Sequence, residues 1–572
     1  MTLRRLRSAA SMALTPLLAG ILLASAPRAS AAPPSPAAPA APKAPEKPAE
    51  KSPDPLLPHH FIPEEVTTTG AVTVAGQRVA YHAVAGTIVV HAKGWDDVTE
   101  RVDLEPERPK GDDAKPVVKM TKAEASMFYA AYFKDGVPSA ARPITFLYNG
   151  GPGSATVWLH MGAFGPKRVV TAGDQHLPAA PYTVVGNEQS LLDATDVVFI
   201  DAPGAGFSRV AGPDKEKAFY GVDGDAHAFA QFITQFLGKY GRWNSPKYLF
   251  GESYGTTRSA VLVAELEVNH SVDFNGVILL SQILNFALYP GRADSNPGQD
   301  LPYELALPTY AATAWYHHKL GSDVPSDLTA LVAEVERFSL GEYALALQQG
   351  NLLPEAERAA IAAKLHKYTS LPVDYLRKAR LRVTATEFAK ALQDGAEATT
   401  GRLDSRFSGP AIDPLEKEAS YDPFEAAVGS AYVSAFNDYV RKELKFGEGR
   451  LYHPQVEGLQ RWDWKHDGLS DQPWTGGLNV MDDLAIAMKY NPNLHVQLEA
   501  GYFDLATPFF QGSYELMHLN VPERLQKNLE TKRYASGHMI YAVESQLHAL
   551  HDNVADFIRR TSPATSTGPS KK

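Results

Sequence analysis

The chain has 572 residues, of which 44% are hydrophobic and 21% charged, with a formal charge of −10 and no cysteine. That length suits one large catalytic domain with an insertion, in a composition typical of globular rather than disordered proteins. The net negative charge argues against a nucleic-acid partner, and without cysteine the core has to hold by burial alone.

The first residues read as an export signal. Arg4, Arg5 and Arg7 precede the apolar stretch Met12 to Ala24, and Ala29-Ser30-Ala31 offers the small residues of a cleavage site. The apolar run is short of a span and interrupted by proline, so a stable membrane anchor is not expected. Loss of residues 1–31 removes four arginines and no acids, taking the charge from −10 to −14. The expected location is periplasmic or extracellular. Residues 32–58, rich in Pro and Ala, cannot bury a core and read as a linker.

An α/β core is expected to begin at residue 59 and run to 288. Thr67 to Ala92 alternates as an antiparallel strand meander. Ile144 to Tyr148 is an apolar strand running into Asn149-Gly150-Gly151-Pro152-Gly153-Ser154, a loop whose missing side chains leave N–H groups free to face a ligand. Val197 to Ile200 and Gly276 to Leu280 read as central, doubly buried strands. The helix Asp225 to Tyr240 carries Phe229, Phe232, Ile233, Phe236 and Leu237 on one face, a packing stripe that needs no functional role.

Gly251-Glu252-Ser253-Tyr254-Gly255 lies between the apolar run Tyr248 to Phe250 and a helix predicted over Thr257 to Asn269. A strand turning sharply into a helix holds a serine in a strained conformation, and flanking glycines relieve the crowding. Ser253 is therefore the candidate nucleophile. A tetrahedral intermediate would place its charge against two N–H groups, one from the Asn149–Ser154 loop and one from Tyr254. The plain alternative for Ser253 is an ordinary helix N-cap.

Residues 289–473 change to helical segments rich in Ala, Leu and Glu, including Leu328 to Phe338, Pro354 to Lys367 and Thr386 to Gln393. They are expected to form a helical cap over the nucleophile and to shape the substrate pocket. The core is expected to resume over 474–560. There Leu494 to Glu499 alternates as a strand and leads to Asp504 in a loop, and Tyr534 to Met539 puts His538 in a Gly-bearing loop before a helix from Val543 to Ile558. Serine needs a base and the base needs an orienting acid, so His538 and Asp504 complete a candidate triad. The order Ser, Asp, His is that of α/β-hydrolases rather than of chymotrypsin or subtilisin. Residues 561–572, small and polar, read as a disordered tail. The pairs His59-His60 and His317-His318 lack acidic partners at ligand spacing, so neither a metal nor another cofactor is expected.

With these motifs assembled, the chain resembles the serine carboxypeptidase family, the carboxypeptidase Y-like secreted α/β-hydrolases. The resemblance rests on the Asn149–Ser154 block followed by Gly165-Pro166, on Asn187 and Asp201-Ala-Pro-Gly-Ala-Gly-Phe-Ser208, on Gly251–Gly255 and on Gly537-His538-Met539. It implies an α/β-hydrolase fold, a mixed and mostly parallel sheet flanked by helices with a helical cap. It further implies that Ser253 is the nucleophile, His538 the base and then acid, and Asp504 its orienting carboxylate. The N–H groups of Gly151 and Tyr254 become the oxyanion hole, Asn149 and Glu252 hold the substrate's terminal carboxylate, and Met539 belongs to the leaving-group pocket. The implied partners are peptide substrates. Asp201 and Ser208 read as turn-forming rather than catalytic.

Two departures stand out. Eukaryotic members carry a second Glu just before Gly-Pro, where this chain has Ala163-Phe164-Gly165-Pro166, so the group that keeps Glu252 protonated is missing or comes from elsewhere. Disulfides usual in those relatives are absent. Rival readings are a capped aminopeptidase of the prolyl or tripeptidyl type, suggested by Gly251–Gly255 and by Asp504-Leu-Ala-Thr-Pro508, and a binding protein on a hydrolase scaffold that has lost its chemistry.

Overall fold

The computed structural model describes residues 60–95, 122–139, 142–456, 461–468 and 477–563. The expected signal segment, the whole of the linker and its boundary with the core, and residues 564–572 of the expected tail lie outside them. The described residues contain no helix long and apolar enough to cross a membrane.

One ten-stranded sheet organises the chain. Its strands are β1 (Glu65–Val74), β2 (Gln77–His91), β3 (Glu124–Lys134), β4 (Ile144–Tyr148), β5 (Asp196–Ile200), β6 (Arg209–Ala211), β7 (Lys247–Glu252), β8 (Gly276–Leu280), β9 (His495–Gly501) and β10 (Leu529–Tyr534). They lie in the order β1-β2-β3-β5-β4-β7-β8-β9-β10, with β6 paired to β3. The β1–β2, β2–β3 and β3–β5 pairs are antiparallel, and from β5 to β10 every neighbour is parallel. This is the α/β-hydrolase architecture.

The parallel strands explain their own sequences. Every residue of β4, β5 and β8 is buried, because helices cover both faces of a parallel sheet and leave no side for polar residues. The edge strand β1 keeps one face accessible and alternates. Strand β3 is buried along almost its whole length although it reads Glu-Ala-Ser-Met-Phe-Tyr-Ala-Ala-Tyr, without alternation and without a Val or Ile. Pairing on both sides, rather than local propensity, makes it a strand.

The connections from β4, β7, β9 and β10 leave the same edge of the sheet, and each carries part of the candidate site. The sheet is fastened at the opposite end by Asp196, which receives Arg142 at 2.6 Å and Arg242 at 2.5 Å, all three side chains nearly inaccessible. Breaking one such buried pair costs about 3–5 kcal/mol, because the partner's charge is stranded. The last helix runs from Glu544 to Thr561, and Thr561 and Ser562 hydrogen-bond the Tyr248 hydroxyl.

Between β8 and β9 the chain makes the long, mainly helical excursion. Helices occur at Leu328–Phe338, Glu355–Thr369 and Ala385–Ala391, close to the segments that periodicity picks out. The excursion divides between two hydrophobic cores. Residues between Ala293 and Leu392 form a core of their own, joined by Leu505, whereas Phe407, Phe424, Val428, Phe436 and Val456 pack into the core of the sheet. The helix Leu301–Tyr316 serves both, with Leu305 and Ala312 turned one way and Tyr303, Leu307 and Tyr310 the other, which is why it is apolar all round.

Candidate active site

Strand β7 ends at Glu252, and the helix α1 (Tyr254–Ala264) begins two residues later. Ser253, between them, has φ 61° and ψ −128°, a region that costs a residue with a side chain about 1–3 kcal/mol. Its N–H donates to the carbonyl of Leu280 on β8 at 2.9 Å, so the neighbouring strand fixes the turn. The side chain makes no capping bond to the helix behind it. The N-cap alternative therefore does not describe Ser253, whose hydroxyl is left to the cavity in front of it.

The loop after β4 packs directly on this turn. A Cβ on Gly150 would lie 2.7 Å from the carbonyl oxygen of Glu252 and from the nitrogen of Gly255, so only glycine lets the two loops approach. Gly151 and Tyr254 are brought side by side in this way, and neither N–H has an acceptor among the described residues. Arg258, one turn along α1, holds the loop from below. Its guanidinium donates to the carbonyl of Asn149 at 2.9 Å, pairs with Asp225 at 2.6 Å and stacks on Phe229 at 4.4 Å. Nothing in the periodicity of the sequence marks Arg258; the one signal is an arginine inside the buried run Thr-Thr-Arg-Ser-Ala-Val.

His538 and Asp504 come from the loops after β10 and β9. His538 Nδ1 lies 2.7 Å from Asp504 Oδ2. A carboxylate only accepts, so in the neutral ring Nδ1 carries the proton and Nε2 is the free base. Asp504 is held in turn by the N–H groups of Ala506 at 2.8 Å and Thr507 at 3.0 Å and by the Thr507 hydroxyl at 2.7 Å. It thus caps its turn and orients the histidine at once. Burial depresses the His538 pKa, but the adjoining Asp504 carboxylate outweighs it and the net shift is upward. Gly537 is glycine because a Cβ there would sit 2.5 Å from the side chain of Asp404 in the inserted segment.

Glu252 is buried beside these groups. Removal from water raises its pKa to about 7, against the lowering influence of His538 and of hydrogen bonds from Tyr541 and Asn149. The Tyr541 hydroxyl donates to Glu252 at 2.8 Å. Tyr541 is thus the group next to Glu252, where the resemblance implies a second Glu in the block that holds Ala163. Ala163 itself is buried and only its carbonyl is used, accepting from Asn187 at 2.7 Å. Asn149 also orients itself internally, its side-chain oxygen accepting from the N–H of Leu159 at 3.1 Å.

Two cavities meet at Ser253. The smaller, about 260 Å³, is lined by Asn149, Gly151, Glu252, His538 and Met539, with Trp158, Phe424 and Val428 as apolar walls. The larger, about 820 Å³, takes in Tyr254, Ile283, Phe286, Tyr289 and Trp464. Asp504 lies behind His538 with no exposed surface. The structure therefore brings together all eight residues singled out from the sequence. It adds Tyr541, Arg258 and the inserted loop at 401–407, which supplies Arg402 and Leu403 to both cavities. Asp201 and Ser208 stand apart from them. Asp201 accepts from the N–H of Thr156 at 2.7 Å, while the Ser208 hydroxyl receives the N–H of Phe128 at 2.8 Å and donates to the Asp201 carbonyl at 3.0 Å, in keeping with a turn-forming role. His317 bonds the carbonyl of Ser405 at 2.7 Å, and no group of three metal-ligating side chains occurs among the described residues.

Comparison with known families settles part of the assignment. Residues 117–286 match the family model for serine carboxypeptidases. The match spans the Asn149 loop, the Asp201 block and the Ser253 turn, while Asp504 and His538 lie beyond it. No curated protein matches the chain in sequence. Among solved structures it is similar to a peroxisomal α/β-hydrolase, Lpx1, of Saccharomyces cerevisiae, at 9% identity over 89% of this chain and 93% of that one, with a TM-score of 0.31. A monoacylglycerol lipase of Paleococcus ferrophilus gives 12% identity, 73% and 95% coverage and a TM-score of 0.27. An epoxide hydrolase mutant from Aspergillus niger gives 13%, 82% of each chain and 0.29. At these scores the fold rests on the strand order above, and the carboxypeptidase match alone bears on chemistry.

Proposed function

We propose that this protein is a serine carboxypeptidase, removing C-terminal residues from peptides through an acyl-enzyme without a cofactor. Ser253 Oγ attacks the scissile carbonyl carbon as His538 Nε2 takes its proton. Charge developing on the carbonyl oxygen is met by the N–H groups of Gly151 and Tyr254, and Asp504 stabilises the imidazolium. His538 then gives the proton to the departing amine, and water, activated by the same ring, releases the acyl group. No hydrogen bond joins Ser253 to His538 in the free protein, and such bonds commonly tighten only with substrate in place.

The observation that carries the reading is the company Ser253 keeps. Asn149, Glu252 and Met539 line the small cavity beside the nucleophile, whose volume of about 260 Å³ suits one leaving residue rather than a continuing chain. Protonated Glu252 can donate to a terminal carboxylate, and its pKa of about 7 makes that form dominant in mild acid. Tyr541, donating to Glu252, fixes the orientation of the group.

Mass spectrometry of a free peptide, its C-terminal amide and its N-acetyl form after incubation with the enzyme tests this. Stepwise loss from the C-terminus of the free and acetylated forms, with the amide spared, is the expected result. Loss from a free N-terminus, blocked by acetylation, would instead establish the aminopeptidase reading. Export is part of the proposal and rests on the amino-terminal sequence alone; a mature N-terminus near Ala32 in secreted material is expected.

A further inference from the structure

The four buried arginines among the described residues are all paired. Arg142 and Arg242 share Asp196, Arg258 binds Asp225 and Arg406 binds Asp404. Arg402, partly buried at the cavity wall, has no such partner. Its guanidinium makes no hydrogen bond or ion pair with any described residue, although it lines both cavities that meet at Ser253.

Its position is nevertheless well fixed. The Arg402 N–H donates to Asp422 at 3.2 Å, and its carbonyl accepts from Leu505, next to Asp504, at 3.0 Å. The following residue, Leu403, gives its N–H to Asp422 at 2.8 Å and accepts from the N–H of His538 at 2.6 Å. The inserted loop is thus clamped between the Asp504 and His538 loops. Tyr289, Asp422, Asp504 and Glu425 lie within electrostatic reach of the guanidinium, and His538 feels its charge. The oxygens of Asp422 and Asp504 are already taken by backbone N–H groups, by Thr507 and by His538. Glu425 and Tyr289, though within reach, make no bond to the guanidinium, so its five donors are left to the two cavities that it lines.

We propose that Arg402 binds a carboxylate of the substrate beside the scissile bond. A planar guanidinium fork matches a carboxylate in a two-point contact, which a lysine in its place would give only as a point charge. The carboxylate has two sources, the α-carboxylate of the leaving residue or an acidic side chain flanking the bond. The inference rests on the proposed role of Ser253, but its test does not require peptide cleavage.

The probes are two alkyl fluorophosphonates, one ending in a carboxylate and the other in its methyl amide, with the rate of Ser253 labelling as readout. The unaltered protein is expected to react faster with the carboxylate probe, by about 10- to 100-fold. Arg402→Gln should abolish the preference, the two probes then labelling at equal rates, with an unchanged thermal unfolding transition to show that the variant is folded; Arg402→Lys should keep part of it. No preference in the unaltered protein, a preference that survives in Arg402→Gln, or an equal loss with both probes would each overturn the proposal. Peptides then separate the sources. A rise in KM for every free-acid peptide identifies the α-carboxylate, and a rise confined to peptides with Glu next to the bond identifies the side chain. If no peptide is shortened but the probe preference holds, the carboxypeptidase reading fails and the carboxylate site stands.

Discussion

The two walls of the Ser253 cavity are built in different ways. The wall on the sheet side consists of backbone: a serine at positive φ, a glycine loop and two N–H groups, all within a few residues of β4 and β7. The facing wall consists of side chains from a loop inserted between β8 and β9, bonded to Phe503, Leu505 and His538 in the loops that follow the sheet strands. Chemistry common to many substrates needs the first kind of wall, because backbone donors cannot be lost by a single substitution. Selection among substrates needs the second, where one side chain can change without disturbing the turn.

Substitutions can break or sharpen this contrast. Ser253→Ala should have the largest effect, lowering kcat by about 10⁵- to 10⁶-fold and abolishing labelling by a serine-reactive phosphonate; equal labelling of both proteins would remove Ser253 as nucleophile. Asp504→Asn should cost about 10⁴-fold in kcat, because an amide can present an N–H to Nδ1 and favour the wrong tautomer of His538. On the sheet side, Gly150→Ala pushes the oxyanion donors apart and should lower kcat by about 10²- to 10³-fold while leaving KM nearly unchanged. An equal rise in KM would show that the loop serves binding rather than the transition state.

The smallest effect concerns pH. Glu252 has its pKa raised to about 7, so its protonated form, the one that donates to a carboxylate, is lost as pH rises through that value. Activity on free-acid peptides is expected to fall between mild acid and slightly alkaline pH, and Glu252→Gln should flatten the fall. The same shift bears on stability. A carboxyl group with a folded pKa above its unfolded one favours folding below the unfolded value, and that contribution disappears as pH rises through about 7. Thermal unfolding of Glu252→Gln should therefore depend less on pH between 5 and 8 than that of the unaltered chain.

Much of the fold and half of the site could be read from the chain itself. Strands β4, β5 and β8 announce themselves as short, wholly apolar runs because both their faces are covered. The Gly-Glu-Ser-Tyr-Gly turn and the Asn-Gly-Gly-Pro-Gly loop are legible because close backbone approach and positive φ demand glycine locally. Strand β3 was not legible, since its burial comes from neighbours far away in sequence. Tyr541 was hidden among ordinary residues near a helix start, and the way the excursion divides between two cores leaves no mark on its helical pattern.

By itself the sequence determined the order of the core elements, the serine, acid and histidine and the glycines around them, because a strained turn or a close backbone approach demands glycine whichever partner meets it. Only the tertiary structure decided that Arg258 supports the Asn149 loop, that Tyr541 bonds Glu252 and that the Arg402 guanidinium reaches the cavities without a partner among the described residues. The bonds concerned join residues about a hundred or more positions apart. Whether such a side chain is paired or free depends on where the rest of the chain places its acceptors, which neither periodicity nor a motif can express.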